Sequence, residues 1–510
     1  MELKFFLSQI NYEKLSLAGK TLYQQIKDFL YTTKYIGKNS KINFFPKDST
    51  TRLFVGLDIN PEIYIRSNKN IPTTISYFYK DWPLTIPIIF GVSDLITLQF
   101  DFFKGKNYES SKEPNAFTNI PLKDRETEYE YPKFAYGNVG KVFNNWGFSA
   151  TIGKEGYSIG NTKLGSIIYN STFETDAYSV LSAFSPNFKY NLIFSQVDYT
   201  KFIYFHNFNF KFFNKVKIGI TEGCLRNGPI ELRFLNPTMI LHSFYAGLNY
   251  ANDTQEKYNL GNHYCSYLGI TIDYYPIQNL RLYALWAQTE LQIPGELQSS
   301  FGKMLPDGYG LQAGINYTIP SKNYGFFNFV IEGLYTTPYL YVKQSPDWSM
   351  VKFRKDKKHD TDVVSWLGTP FGPDSIAMTI SGTYTKTQKY SIGIENIFAM
   401  KGEIDGNTLL TTNEAKSEST GQQYPSYYPS VEYGLGQLTE DEAIAKARQK
   451  KLTGIIQYRN DFTISGEYYF SQKIKISTAG TYTLIFNNNH IKDNFQQGLE
   501  LKLSLGINLL

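Results

Sequence analysis

The chain has 510 residues, with Tyr 41, Phe 38 and Trp 5 making 16% aromatic, while Asp, Glu, Lys and Arg make only 19%, below the ~25% of an average soluble domain. Rings in that number, spread over the whole length, exceed what one soluble core hides and point to lipid as their surroundings. The 51 basic and 46 acidic residues are interspersed and leave a net charge of only +5, which argues against nucleic acid as a partner because no polycationic face is available for its backbone.

Met1 to Gln9 reads MELKFFLSQ, too short an apolar stretch for a secretory signal and without a small-residue cleavage site. The expectation is a chain numbered from after a removed leader, with an added Met. Residues 12 to 31 then predict an amphipathic helix, because Leu15, Ala18, Leu22, Ile26 and Phe29 recur at three- and four-residue spacing. Residues 1–45 are therefore read as a periplasmic helical segment that caps a barrel, lies on a membrane surface or docks to a partner.

From Thr51 the period changes to two. Leu53, Val55, Leu57 and Ile59 alternate with Arg52, Phe54, Gly56 and Asp58, and similar runs recur at 96–102, 201–220, 268–274, 280–287, 310–317, 326–335, 376–384, 390–398, 452–459, 462–470, 474–485 and 499–509. No window approaches the ~18 apolar residues of a spanning helix. Strands of ~9–11 residues that alternate apolar with polar do cross membranes when closed into a barrel. The fold class expected is all-β: residues 46–510 as a large transmembrane antiparallel barrel of about 16 to 18 strands, even in number.

The connections alternate in length. Short turns lie within 272–284, 315–329, 382–393 and 466–478, and tyrosines crowd beside them; long polar stretches span 252–262, 290–307, 343–374 and 401–450. Outer-membrane barrels show this alternation, with short periplasmic turns, long outward loops and an aromatic girdle. Within the longest loop, 402–450, Thr439 and Glu442 form a capping-box pair ahead of a short helix, Glu440 to Lys450. That helix is read either as lid, plug or docking element, or as a surface excursion.

The final strand reads LELKLSLGINL. Leu499, Leu501, Leu503, Leu505, Ile507 and Leu509 point one way, Glu500, Lys502, Ser504, Gly506 and Asn508 the other, as in a strand that closes a barrel against the first one. The expected lumen is polar, lined by Arg52, Asp58, Asp101, Lys211, Asp273, Arg281, Glu332 and Glu395.

Catalytic patterns are absent. The sequence contains no GxSxG, Walker loop, Rossmann glycine pattern or HExxH, and its histidines 206, 242, 263, 359 and 490 are isolated. Cys224 and Cys265 are too few for a thiolate metal site or disulfide framework, although one bridge between them is open. A non-enzymatic protein without cofactor or metal is expected.

Two stretches depart from plain strands: 140–168, GKVFNNWGFSATIGKEGYSIGNTKLGSII, rich in glycine as at bulges or inward-folded loops, and 215–240, KVKIGITEGCLRNGPIELRFLNPTMI, dense in polar groups. In them Gly140-Lys141, Trp146-Gly147, Lys163-Leu164-Gly165-Ser166 and Val216-Lys217-Ile218-Gly219-Ile220 resemble the capsule-assembly outer-membrane protein family named after Wzi. Lys141 stands where the family has arginine, and the Ser/Asn run becomes Ser166 to Ser171 with Ile and Tyr inserted. The resemblance covers about 130–240 at motif level, and it implies an 18-stranded barrel with periplasmic N-terminal helices that helps to retain polysaccharide on the cell surface.

The function expected is an outer-membrane barrel that binds, anchors or organises surface polysaccharide; the alternatives are a channel or transporter for small solutes, or a structural subunit of an envelope complex. Partners would be outer-membrane lipid, surface polysaccharide and other envelope proteins. Candidate lumen or glycan contacts are Arg226, Glu231, Arg233, Asn236 and Trp146, together with the loop aromatics Trp348, Trp366, Tyr424, Tyr427 and Tyr428, whose rings offer faces to sugars.

Overall fold

The computed structural model describes residues 2–31, 51–71, 82–92, 95–106, 117–122, 127–154, 157–170, 177–198, 200–238, 264–321, 325–343, 349–356, 361–404, 414–416, 423–425 and 439–509. The amino-terminal part is helical, but its boundaries differ from the periodicity. Helix α1 (Glu2–Ser8) precedes a 3-10 turn (Tyr12–Lys14), and α2 (Leu17–Tyr31) follows. The break has a local cause: the Asn11 side chain accepts from Glu13 N, Leu15 is extended, and the Ser16 hydroxyl accepts from Gly19 N to start α2 afresh.

The alternating region forms one closed antiparallel sheet. Its first strand is bent into β1 (Thr51–Val55), β2 (Asp58–Ile59) and β3 (Glu62–Arg66), with Gly56 and Pro61 at the breaks. The next strands are β4 (Leu84–Val92), β5 (Ile96–Lys106), β6 (Thr127–Phe143) and β7 (Trp146–Lys154). Two short pairs of residues, β8 (Ser158–Ile159) and β9 (Tyr169–Asn170), leave the wall. The wall resumes with β10 (Ala177–Phe184), β11 (Phe188–Asp198), β12 (Lys201–Phe212), β13 (Val216–Asn227), β14 (Tyr264–Tyr274), β15 (Leu280–Glu290), β16 (Gly308–Pro320) and β17 (Gly325–Thr336). A separate hairpin, β18 (Val351–Asp356) and β19 (Thr361–Trp366), interrupts it again. Then come β20 (Ser375–Lys386), β21 (Tyr390–Lys401), the small pair β22 (Glu414–Lys416) and β23 (Gln423–Pro425), and finally β24 (Gln457–Tyr469), β25 (Ile474–Phe486) and β26 (Gln496–Asn508).

Closure is made by the two ends of the sheet. The last strand pairs with the bent first one, Leu501 with Ile65, Leu503 with Ile63 and Ile507 with Ile59, while β1 pairs with β4. With the bent strand counted once, the wall has 18 strands. The edge of β3 that β4 does not reach is covered by Phe117–Ile120: Tyr64 N donates to Phe117 O at 2.7 Å and Glu62 N to Asn119 Oδ1 at 2.8 Å. No sheet edge is left there to pair with another chain.

Alternation sorts the side chains. Outward positions carry Ile63, Ile152, Ile220, Ile272, Leu311, Ile315, Ile331, Ile380, Ile394, Ile464, Leu501 and Leu503, all exposed. On the final strand Leu499, Leu501 and Leu503 are exposed while Glu500 and Lys502 are half-buried and Ser504 is buried. The short turns share one end of the barrel, where Tyr274, Tyr317, Phe327, Tyr384, Tyr390, Tyr468 and Phe470 lie on the outward face, with Tyr384 5.8 Å from Tyr390 and 4.6 Å from Phe327. An apolar belt with an aromatic girdle at the short-turn rim is the surface of a transmembrane barrel, and it sets that rim on the periplasmic side. Helix α1 sits at this rim, Phe5 5.3 Å from the Phe184 ring and Glu2 2.5 Å from Lys189 Nζ.

Inward positions include Asp58, Asp101, Lys211, Asp273, Arg281, Glu332 and Glu395, as the pattern predicts. Register also resolves the cysteines. Cys224 faces outward opposite Ser266, whereas Cys265 faces inward opposite Leu225, so the wall separates the two thiols and both are free.

Candidate functional site

Two segments at the long-loop end turn back into the barrel instead of projecting from it. The connection between β7 and β10 sends Leu164, Ile167, Ile168 and Tyr169 into the lumen, and the connection between β17 and β20 sends Tyr339, Leu340, Tyr341, Val342, Met350 and Leu367 beside them, all buried. Both are apolar sequences that water would not accept, and they meet inward-facing Val180, Ile193, Phe205, Leu225, Tyr267, Leu285 and Leu334 in one core. Phe205 lies 5.1 Å from Tyr169. Gly269 is required on the wall, because a Cβ there would come within 2.7 Å of Ile168. Gly165, at φ +82°, lets the first loop turn against Pro370 of the second.

Hydrogen bonds fix the two loops to each other and to the wall. Asn170 N donates to Leu367 O at 2.7 Å, and the Tyr267 and Tyr341 hydroxyls both donate to Ile167 O, at 2.7 and 2.5 Å. Glu332, on β17 and without solvent exposure, is the centre of the attachment. Its carboxylate accepts Lys163 N and Leu164 N at 2.8 Å each, Gln312 Nε2 at 2.8 Å, and the Tyr283 hydroxyl. Four donors satisfy a buried charge that would otherwise be prohibitive. Around it Lys163 Nζ reaches Glu395 at 3.2 Å, and Arg281 joins Asp273 at 2.5 Å and Asn161 O at 2.8 Å. Glu332, Glu395 and Arg281, the last held by Asp273, are thus the inward charges that attach the plug.

Across the barrel the wall is polar and its groups bond along the sheet. Thr463 Oγ1 lies 2.9 Å from Thr481 Oγ1, Thr483 Oγ1 donates to Asp461 Oδ1 at 2.6 Å, and Arg459 Nε donates to Asp461 Oδ2 at 2.8 Å. Toward the long-loop mouth a small cleft is lined by Arg66, Asn68, Ile71, Thr483, Gly498 and Glu500. Arg66 Nε is 2.9 Å from Glu500 Oε2, and Asn68 Nδ2 donates to Gln496 Oε1 at 3.1 Å. Paired charges, amides and hydroxyls of this kind can exchange hydrogen bonds with a polyhydroxylated ligand.

The rim is braced by the longest loop. Helix α3 (Ser300–Met304) meets α4 (Glu440–Ala447), whose following residue Arg448 bonds Gly302 O at 2.9 Å, Leu305 O at 2.6 Å and Asp307 Oδ2 at 3.0 Å. The capping box read from Thr439 and Glu442 is formed, and bonds from Thr439 hold the Glu442 carboxyl below its ordinary pKa. Asp374, buried where the second plug loop enters β20, accepts Thr453 N and Ile404 N at 3.1 Å each; burial raises its pKa against the opposing pull of Lys401. The rest of 402–450, apart from 402–404, 414–416, 423–425 and 439–450, lies outside the described residues.

The residues singled out from the sequence are not brought together. Arg226 points outward, because Thr221, Leu225 and Asn227 take the inward positions of β13, and it pairs with Glu231 at 2.5 Å. Glu231, Arg233 and Asn236 lie in a segment against the outer wall and line no lumen. Trp146 is exposed on the outward face at the periplasmic rim, 6.2 Å from Phe188. Trp366 is buried within the plug core, 6.2 Å from Tyr341. Trp348, Tyr427 and Tyr428 lie outside the described residues, as does the side chain of Tyr424. Sequence reasoning missed Glu332 as an anchor and the apolar run 339–342 as plug; its one available signal was an apolar cluster within a loop. Among the described residues no group of three or more His, Cys, Asp or Glu side chains is placed to hold a metal.

No family model matches the chain, and no curated protein does. Among solved structures the fold matches Wzi of Escherichia coli, described as an outer-membrane protein involved in group 1 capsule assembly and a carbohydrate-binding β-barrel. The TM-score is 0.56 at 10% identity, over 98% of this chain and 90% of that one. OprD of Pseudomonas aeruginosa (TM-score 0.40, 7% identity, 90% and 96% covered) and OmpT of Vibrio cholerae (0.35, 10%, 92% and 100%) are more distant. The fold is that of an outer-membrane β-barrel. Its 18 strands, apolar belt and N-terminal helices agree with the architecture that the motif resemblance implied.

Proposed function

We propose that this protein is a non-enzymatic outer-membrane barrel that binds, anchors or organises surface polysaccharide at its long-loop mouth. The observation that carries this reading is the plug: a lumen held partly shut by a buried apolar core and by the Glu332 attachment is poorly suited to free diffusion. What stays available is the mouth, where the cleft beside Arg66, Asn68, Thr483 and Glu500 offers the chemistry that sugar hydroxyls need. The fold likeness to a carbohydrate-binding barrel supports the same reading.

The experiment is binding of the purified, reconstituted protein to polysaccharide extracted from the source cells, with Arg66→Ala/Glu500→Ala as the comparison. Both residues are removed so that neither charge is left unpaired. Saturable binding that weakens in the double variant is the expected result; binding by neither protein would reject the proposal. The polar wall of β24–β26 favours a second reading, a narrow solute path beside the plug. Planar-bilayer recording separates the two, because stepwise conductance of the unaltered protein belongs to a transporter.

A further inference from the structure

The chain leaving β13 does not rise away from the barrel. Gly228 N donates to Thr200 O at 2.8 Å on the rim, and the backbone then turns down the outside of the wall to a 3-10 turn, Leu232–Leu235. Glu231 N donates to the Tyr204 hydroxyl at 3.0 Å, the Phe234 ring is 5.3 Å from Tyr204, and His206 Nε2 lies 3.2 Å from Phe234 O. A carbonyl only accepts, so Nε2 carries the proton in this contact.

Tyr204 and His206 are outward residues of β12, since Ile203 and Phe205 between and beside them belong to the plug core. In register His206 faces Glu222, five positions from Asn227 at the rim, which places the contact ~16 Å along the strand. At the usual strand tilt that is ~11 Å below the rim, inside an apolar band ~25 Å tall.

A polar tyrosine hydroxyl and an imidazole are anomalous on a lipid-facing wall, and bare backbone is costly there. Each anomaly answers the other, because these side chains satisfy backbone groups of the descending segment. Charge is treated in the same way: Arg226 and Arg233 both pair with Glu231, at 2.5 and 3.0 Å. The inner side of the segment is buried through Phe234, at 1% exposure, whereas Ile230 and Leu232 are 52% and 73% exposed. Below them on the outward face of β13 lies Ile220, two positions from Glu222 and exposed like them.

We propose that residues 228–236 form an external clip that descends from the rim into the acyl-chain region of the outer leaflet, with lipid acyl chains as the partner of Ile230 and Leu232. Phe234 and Glu231 fasten it to the wall. The clip thereby ties the root of the outward loop to the membrane plane, an arrangement that plain strand-to-loop exits lack.

The test uses the full chain in lipid bilayers with Leu232→Cys carrying a nitroxide. Cys224 and Cys265 are fully buried, so the unaltered protein serves as the blank. Collision of the label with oxygen and with a water-soluble nickel chelate is compared with Ile220→Cys on the wall and Lys389→Cys in a periplasmic turn. A ratio of oxygen to nickel collisions closer to the Ile220 reference is expected. A ratio closer to Lys389 would overturn the proposal, and so would loss of both collisions with spin–spin broadening, which would mean that a second copy covers the clip. An aqueous reading at Ile220 itself would instead refute the barrel's lipid face. Ile230→Cys supplies the same readout should Leu232→Cys fail to fold.

Discussion

The two walls of the lumen solve different problems. Along β10–β17 the inward positions include Val180, Ile193, Phe205, Leu225, Tyr267, Leu285 and Leu334, and the plug loops pack on them; along β24–β26 they are mostly polar, among them Asp461, Thr463, Thr481, Thr483, Glu500, Lys502 and Ser504, which bond across strands. Both walls have the same alternation and the same apolar outer face. The difference is that an inward apolar surface must be covered to leave water, and only a loop of the same chain is at hand to cover it. The polar wall satisfies itself and needs no cover. What enters a barrel is therefore decided by one wall's inward residues together with apolar residues in distant loops.

The sharpest way to break this comparison is at Glu332. Glu332→Ala leaves four donors, three of them buried, without their acceptor, and at about 1 kcal/mol for each buried donor the loss is about 3 kcal/mol or more. The urea midpoint of the folded barrel should fall, and planar-bilayer recordings should show conductance as the first plug loop loosens. An unchanged, silent barrel would mean that the apolar core alone retains the plug.

Truncation on each wall compares them directly. Ile168→Ala opens a cavity beneath fully buried plug residues and should cost about 2–5 kcal/mol. Thr463→Val, which removes the half-exposed member of a hydroxyl pair with the buried Thr481, should cost about 1 kcal/mol. Denaturant titrations of both variants measure the contrast, and equal losses would remove the distinction between the walls.

The lipid face is tested on the closing strand. Leu503→Arg, at an exposed outward position opposite Ile63, should oppose folding into bilayers by about 2–4 kcal/mol if it lies near the midplane. Ser504→Arg should be milder, because it enters the lumen beside Glu62. Heat-modifiable gel mobility after reconstitution reads both.

The smallest effect concerns α4 on the rim. Thr439→Ala removes the cap and should weaken the helix by about 0.5–2 kcal/mol, seen as faster amide exchange over residues 440–447. Because the folded state lowers the Glu442 pKa, its contribution is present above the ordinary glutamate value of about 4.3 and is lost as pH falls through the lowered one. Exchange should rise over that interval, and Glu442→Gln should remove the dependence.

Much of the barrel is legible in the sequence. The change from a helical period to a period of two, the short turns beside tyrosines and the final alternating strand locate the wall, the girdle and the closure against the first strand, whose partners the structure shows to be Ile63 and Ile65. The 18 strands fall within the interval that length allowed. The site was less legible. Arg226, Glu231 and Arg233 were recognised as a polar group, but alternation gives two faces without saying which is inside, and here β13 turns Arg226 outward. Trp366, a candidate glycan contact among the loop aromatics, is instead core, because its hairpin folds inward. The amino-terminal helix was found, while its interruption at Leu15 depended on side-chain caps that periodicity does not register.

By itself the sequence determined the barrel: each strand needs only its own alternation to choose lipid on one side, and that pattern is local. The plug was decided by tertiary structure alone. Leu164 to Tyr169 and Tyr339 to Val342 are short apolar runs without periodicity; the glycines of 140–168 suit bulges as well as an inward fold for the first, and nothing near the second says whether it projects or turns back. Their burial depends on β10–β17 and on Glu332, 168 residues from Leu164, and such pairings arise only once closure has brought both walls around the same space.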